Sequence, residues 1–253
     1  MDAAFALVDV GLWDFALVAA IAFVMSVIGG LSGYGIGLIL PAFLAPVVGV
    51  VATIPVMSVA MIFANASRVW VYRHALSWRH VTLLLAVSLP TALIGSIVYT
   101  HLSARVIAIV LGAFMIVSVP LRRRLVRGGF TLGSRGLAGI GAVYGLMAGG
   151  MSGTGLFMAA GLMAAGVHGA ALIATDAAVS TAINLLKVSV FGGYSLLTAD
   201  LVVTGVLIGL CTVPGAFVAR RIMDRLPLKV HIWIMEALIL GGGLSFLWQA
   251  LRS

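Results

Sequence analysis

Gly29-Gly30-Leu31-Ser32-Gly33-Tyr34-Gly35 returns 120 positions later as Gly149-Gly150-Met151-Ser152-Gly153-Thr154-Gly155. Both copies lie inside long apolar stretches. A cluster of Gly and Ser continues a helix badly, because each Gly costs about 1 kcal/mol relative to Ala. In a lipid environment such a break is tolerated only where protein covers the backbone or where it lines a cavity. Two matching breaks in two halves of one chain point to the binding site of a transporter.

Working outward from the clusters, the surrounding chain has the composition of a membrane protein. Hydrophobic residues make up 62% of the 253 residues and charged residues only 9%, against about 25% charged in a soluble domain. The charges are clustered and leave apolar runs of about 20 residues, the length of a spanning helix. A soluble fold is excluded, and a transmembrane β-barrel would need alternating strands instead of continuous runs. The expected fold is therefore all-α and polytopic. Long spans are predicted at 14–33, 50–72, 80–100, 104–121, 136–154, 169–191, 201–219 and 231–250, with short apolar pieces at 36–48 and 156–166 after the two breaks. The N-terminus carries Asp2, Asp9 and Asp14 before any base, so a cleaved signal peptide is not expected. The lone Cys211 reads as a small buried hydrophobe. The net charge of +8 falls mostly in loops, which suits cytoplasmic loops of a cell-membrane protein better than a nucleic-acid surface.

The two halves match beyond the clusters. Ala52, Thr53, Ser58, Ala60, Ser67 and Tyr72 align with Ala174, Thr175, Ser180, Ala182, Ser189 and Tyr194 at a constant offset of 122, and Pro90 aligns with Pro214 at 124. An internal duplication follows: residues 1–123 form a first repeat, 124–135 a basic cytoplasmic linker and 136–253 a second repeat, all in one integral membrane domain. Basic segments at 68–80, 122–135 and 220–229 all face the cytoplasm by the positive-inside rule. That requires an even number of crossings between each pair. Eight plain spans do not satisfy it. Either the piece at 156–166 crosses, or it forms a re-entrant hairpin with 136–154. Both arrangements invert the repeats relative to one another and put both termini outside.

Each cluster ends one helix and starts another. A new helix presents unpaired N–H groups and the positive end of its dipole, which together bind anions. Gly30, Ser32, Gly33 and Gly35, and Gly150, Ser152, Gly153, Thr154 and Gly155, are therefore the expected contacts for a small oxyanion. The alternative is that the glycines only allow close helix packing. Asp176, Ser180, Asn184 and Lys187 share one face of the following helix, spaced by three and four residues. In the first half Ser58, Asn65, Arg68 and Tyr72 do the same, and Asn65 and Lys187 occupy matching positions. Asn65, Asn184 and Lys187 are expected to complete the site, and Asp176 and Glu236 are the candidates for carrying a coupling proton. Snorkelling to the interface is the competing reading for Arg68 and Lys187, and helix glue for the asparagines. Trp70, Trp78, Trp233, Tyr72 and Tyr99 are expected in the interfacial belt. No two histidines have metal-ligand spacing on one helix, and nothing calls for a cofactor.

The duplicated Gly-Gly-x-Ser-Gly-x-Gly breaks, Pro41, the paired Ala-Thr steps at 52–53 and 174–175, and the segment from Tyr72-Arg73-His74 to Trp78 resemble the TauE/SafE sulfite exporter-like family over about residues 14–250. The resemblance implies a secondary transporter of a sulfur-containing anion such as sulfite, sulfoacetate or another organosulfonate. The expected partners are the lipid bilayer and a small anion, which could leave with the inside-negative potential, while uptake would need H+ or Na+ as a coupling ion. One departure is that Gly155-Leu156-Phe157 lacks the glycine run and proline that follow the first break. Two other functions remain open on sequence grounds. One is an anion channel. The other is an intramembrane serine protease, because Gly30-Leu31-Ser32-Gly33 and Gly150-Met151-Ser152-Gly153 both carry Gly-x-Ser-Gly, although no histidine lies well inside a span to act as its base.

Overall fold

The structure is a computed structural model and describes residues 20–24, 26–27, 35–127, 131–222 and 228–252. Among these residues the chain is helical throughout, with no strand. Residues 20–24 and 26–27 are helical. They are followed by α1 (Gly35–Val48), α2 (Val50–Tyr72), a 3-10 turn (Arg73–Ala75), α3 (Trp78–Thr100), α4 (Ala104–Arg127), α5 (Ser134–Gly150), α6 (Gly155–Ala164), α7 (Gly169–Gly193), α8 (Ala199–Ile222) and α9 (Leu228–Arg252). The first break, apart from Gly35, lies outside the described residues, so the expected contacts Gly30, Ser32 and Gly33 do too.

Four stretches are long and apolar enough to cross a bilayer: Val50–Ala75, Trp78–Thr100, Ala104–Leu121 and Gly169–Gly193. The short pieces expected at 36–48 and 156–166 are α1 and α6. At 1.5 Å per residue their 14 and 10 residues are about 21 and 15 Å long, and neither spans a hydrocarbon core of about 30 Å. As described, both are shorter than a membrane span. The α1–α2 joint is a single residue, Gly49, with φ +85°. A side chain would resist that left-handed angle, and it allows α2 to start one residue after α1 stops.

Small residues set the helix contacts. The most extensive packing is α3 against α5, followed by α2 against α8 and α7, and α4 against α9. A Cβ on Gly149 of α5 would sit 2.7 Å from the Ser96 amide nitrogen of α3. One on Gly112 of α4 would lie 2.8 Å from the Gly243 carbonyl of α9. Such approaches suit a bilayer interior, where helices associate through close backbone contact instead of a hydrophobic driving force. α1 packs on α2 and α9, and α6 packs on α5, α7 and α4.

The aromatic belt needs a correction. Trp70 and Trp78 are exposed, as expected, but Tyr72 and Tyr99 are buried. The Tyr99 hydroxyl donates to the Val51 carbonyl at 2.9 Å, and its ring packs on Phe191 with centroids 5.3 Å apart. That bond supplies the partner a buried phenol requires, so position near a helix end did not put this ring at the interface.

Candidate functional site

The second break is the pivot of the site. α5 runs to Gly150, Met151 is extended, and Gly153 takes φ +81° before Thr154 leads into α6. No side chain caps α6, so the first amides of that helix have no partner within it. Gly153 also packs where no other residue fits. A Cβ there would lie 2.8 Å from the Leu38 amide nitrogen.

That contact brings the two half-helices together. A Cβ on Gly37, in the first turn of α1, would lie 2.7 Å from the Gly153 amide nitrogen and 3.1 Å from Ser152 Oγ. The first turn of α1 and the N-terminus of α6 therefore meet. Each end carries the positive pole of a helix dipole.

Around this junction lies a cavity of ≈ 40 Å³. On the same measure one water needs about 10–15 Å³, so the space suits about three waters or one compact oxyanion. Its wall takes Gly37 from α1, Asn65 and Met61 from α2, and Tyr144 and Ala148 from α5. It also takes the segment from Met151 to Gly155, and Asp176, Ser180, Ile183, Asn184 and Lys187 from α7. Seven of the expected contacts thus line one space: Asn65, Ser152, Gly153, Thr154, Gly155, Asn184 and Lys187. Asp176 joins them. Gly35 starts α1 two residues before the lining Gly37, and Gly150 ends α5 one residue before Met151. Glu236 is buried on α9 and is not part of the lining.

The polar groups are held in defined positions. Lys187 is 2% exposed, and its Nζ donates to the Met151 carbonyl at 3.0 Å. An ammonium has three donors, so this bond leaves two for the cavity. Tyr144 and Ser180 share a hydrogen bond of 2.9 Å, and Asn184 Nδ2 donates to the Ser180 carbonyl at 2.8 Å. Arg68 is 1% exposed, so the interfacial reading fails for it as it does for Lys187. Arg68 lies against the cavity wall, where its NH1 reaches Asn65 Oδ1 at a long 3.4 Å and its charge interacts with that of Asp176. Asn65 Nδ2 and Asp176 Oδ1 are buried and have no hydrogen-bond partner among the described residues. An unmade hydrogen bond on a buried polar atom costs about 1–3 kcal/mol.

Four participants escaped the sequence reading. Tyr144 and Ala148 lie on one face of α5, four residues apart, and Met151 follows just past the helix end, so that face leads straight into the break. The Met151 carbonyl as partner of Lys187 carries no sequence signal, because any residue supplies a carbonyl. Gly37 would have been found by extending the first cluster by two residues.

The comparisons bear on what this arrangement serves. The family model described as "Sulfite exporter TauE/SafE" matches residues 18–246. No curated protein and no solved structure matches the chain. With nearly the whole chain covered, and the described helices including four able to cross a bilayer, the protein belongs to the sulfite exporter TauE/SafE family of membrane transporters.

Proposed function

We propose that the protein is a multi-pass carrier of the cytoplasmic membrane that moves a small sulfur-containing oxyanion through the cavity at the second break. One observation carries this reading: two half-helix ends, the Lys187 ammonium and two unpartnered buried polar groups converge on a space of oxyanion size. Uncapped amides at the α6 N-terminus, Ser152 Oγ and Thr154 Oγ1 supply donors. Lys187 supplies the charge, and Asn65 Nδ2 gains the acceptor it lacks. A space of ≈ 40 Å³ favours sulfite over a sulfonate with an organic tail.

Rocking of two inverted repeats would give alternating access to such a midplane site. The packing pattern supports that arrangement. Exchanging α1 with α6, α2 with α7, α3 with α8 and α4 with α9 turns the α2–α8 contact into α7–α3 and the α1–α9 contact into α6–α4, and all four contacts exist. The protease reading finds no support among the described residues, where no histidine lines the cavity beside Ser152.

The test is a binding screen on purified protein with sulfite, thiosulfate, sulfoacetate, taurine and short carboxylates, followed by flux in proteoliposomes. The expected result is binding of sulfur oxyanions, saturable flux and counterflow. Carboxylate binding without sulfur-oxyanion binding would overturn the substrate class. Flux that never saturates and follows voltage alone would replace the carrier with a channel.

A further inference from the structure

Asp176 is out of place in an anion site. Its carboxylate lines the cavity that the Lys187 ammonium enters, it is 3% exposed, and its Oδ1 accepts no hydrogen bond among the described residues. An ionised acid there repels any anion. Among the described residues, Lys187 and Asp176 line the space and Arg68 stands behind its wall, two cations and one acid. With Asp176 ionised, the surplus charge matches a monoanion. With Asp176 protonated, it matches a dianion.

We propose that Asp176 is a proton-binding member of the anion cavity, so that a dianionic oxyanion binds there together with one proton. This rests on the cavity being the anion site. The proton sits on a carboxylate oxygen of Asp176, where the neutral acid becomes a hydrogen-bond donor aimed at the anion in place of a repelling charge. Anion and proton then cross in the same direction, and each cycle moves one negative charge fewer than the dianion alone.

The other titratable groups near Asp176 narrow the assignment. From α2, Arg68 faces it, with Tyr72 interacting with Arg68, and from α5, Tyr144 faces it. α6 has no titratable side chain. On α3, His80 bonds the Ser77 hydroxyl at 2.7 Å, and the Ser77 amide donates to Thr175, the neighbour of Asp176. His80 stands outside the cavity lining, and Arg73 and His74 of the 3-10 turn are exposed. Arg68 stays charged at all accessible pH values. Lys187 is then the competing proton acceptor within the cavity.

The experiment measures proton uptake in weakly buffered detergent solution when thiosulfate is added to the full-length protein. Thiosulfate is a dianion throughout the neutral range, so it contributes no protons of its own. The expected result is close to one proton taken up per anion bound. Above the titration of Asp176, affinity should fall by about tenfold per pH unit. Asp176→Asn, a neutral isostere, should still bind thiosulfate but lose both the proton uptake and the pH dependence. Uptake that persists in Asp176→Asn would place the proton on Lys187 and overturn the proposal. Binding by the wild type without uptake would overturn it with no variant needed, which covers the case of a variant that does not fold. If the wild type binds no sulfur oxyanion at all, the cavity is not the anion site and both readings fall together.

Discussion

Lys187→Met tests the site most directly. The lysine is buried, donates to the Met151 carbonyl at 3.0 Å and lines the cavity. Methionine has nearly the same length and no charge, so it fills the channel between α7 and the end of α5 without a new clash. The loss can be bounded from both sides. A hydrogen bond to a charged group is worth about 1.5–3 kcal/mol net, and a charge pair about 4 Å apart at an effective dielectric constant near 20 is worth about 4 kcal/mol. These are two measures of one contact and do not add. The expected cost in anion binding is therefore about 1.5–4 kcal/mol, a rise in Kd of roughly ten- to a thousandfold. Titration calorimetry with sulfite on wild type and variant measures it directly, with a thermal melt alongside. A lysine kept only to cap α5 predicts a lower melting temperature and unchanged affinity. A site lysine predicts the reverse, because exchanging a buried cation for an apolar group of similar volume is often neutral or stabilising. An affinity within threefold of wild type in a folded Lys187→Met protein would remove Lys187 from the site. Lys187→Arg, which keeps the charge with a different shape, should fall between the two.

Gly153→Ala should destabilise the protein by about 2–5 kcal/mol. The left-handed backbone costs about 1–2 kcal/mol for an L side chain, and the close Leu38 contact adds overpacking of about 1–3 kcal/mol. A melting temperature equal to wild type would show that the half-helices do not meet as described. Gly149→Ala should disrupt the α3–α5 contact, where the new Cβ meets the Ala92 carbonyl and the Ser96 amide. Gly139→Ala on the same helix meets nothing within 4 Å and should be neutral or stabilising by up to about 1 kcal/mol. Chemical melts in detergent that fail to separate the two glycines would refute the packing account. Ile54→Asp puts an acid at the first-half position matching Asp176, into a fully buried apolar cluster. An uncompensated buried charge costs about 3–5 kcal/mol, so folded yield should collapse, and a variant that melts like wild type would contradict that environment.

The helices were legible because apolar length and glycine punctuation act locally. The expected short pieces at 36–48 and 156–166 coincide with α1 and α6 to within a few residues. Asn65 and Lys187, matched at the offset of 122, both line one cavity, since position along a helix fixes which face a side chain takes. What sequence did not reveal depended on how helices dock. Arg68 lies near a helix end, where a lysine or arginine ordinarily reaches toward headgroups. Its burial follows from α2 packing between α7 and α8. Tyr99 reads as an interfacial ring until the Val51 carbonyl, 48 positions away, is seen to accept its hydrogen bond. The first break lies outside the described residues, so half of the expected cradle is known here only through Gly35 and Gly37.

The matching positions also explain why the cavity is not symmetric although its two half-helices are similar. At the offset of 122, Asp176 pairs with Ile54, Asn184 with Ile62 and Arg68 with Val190. Ser58 and Ser180, and Asn65 and Lys187, are polar in both halves, and of these only Lys187 carries charge. A duplicated break supplies backbone donors from both sides, because amides and dipoles do not depend on the side chain. Discrimination needs unlike groups in fixed places, and these have accumulated mostly on α7. An anion held by backbone donors alone would be bound by shape and overall charge. The chemistry of one helix, with an acid three turns from a lysine, makes binding in the same cavity depend on whether a proton is present.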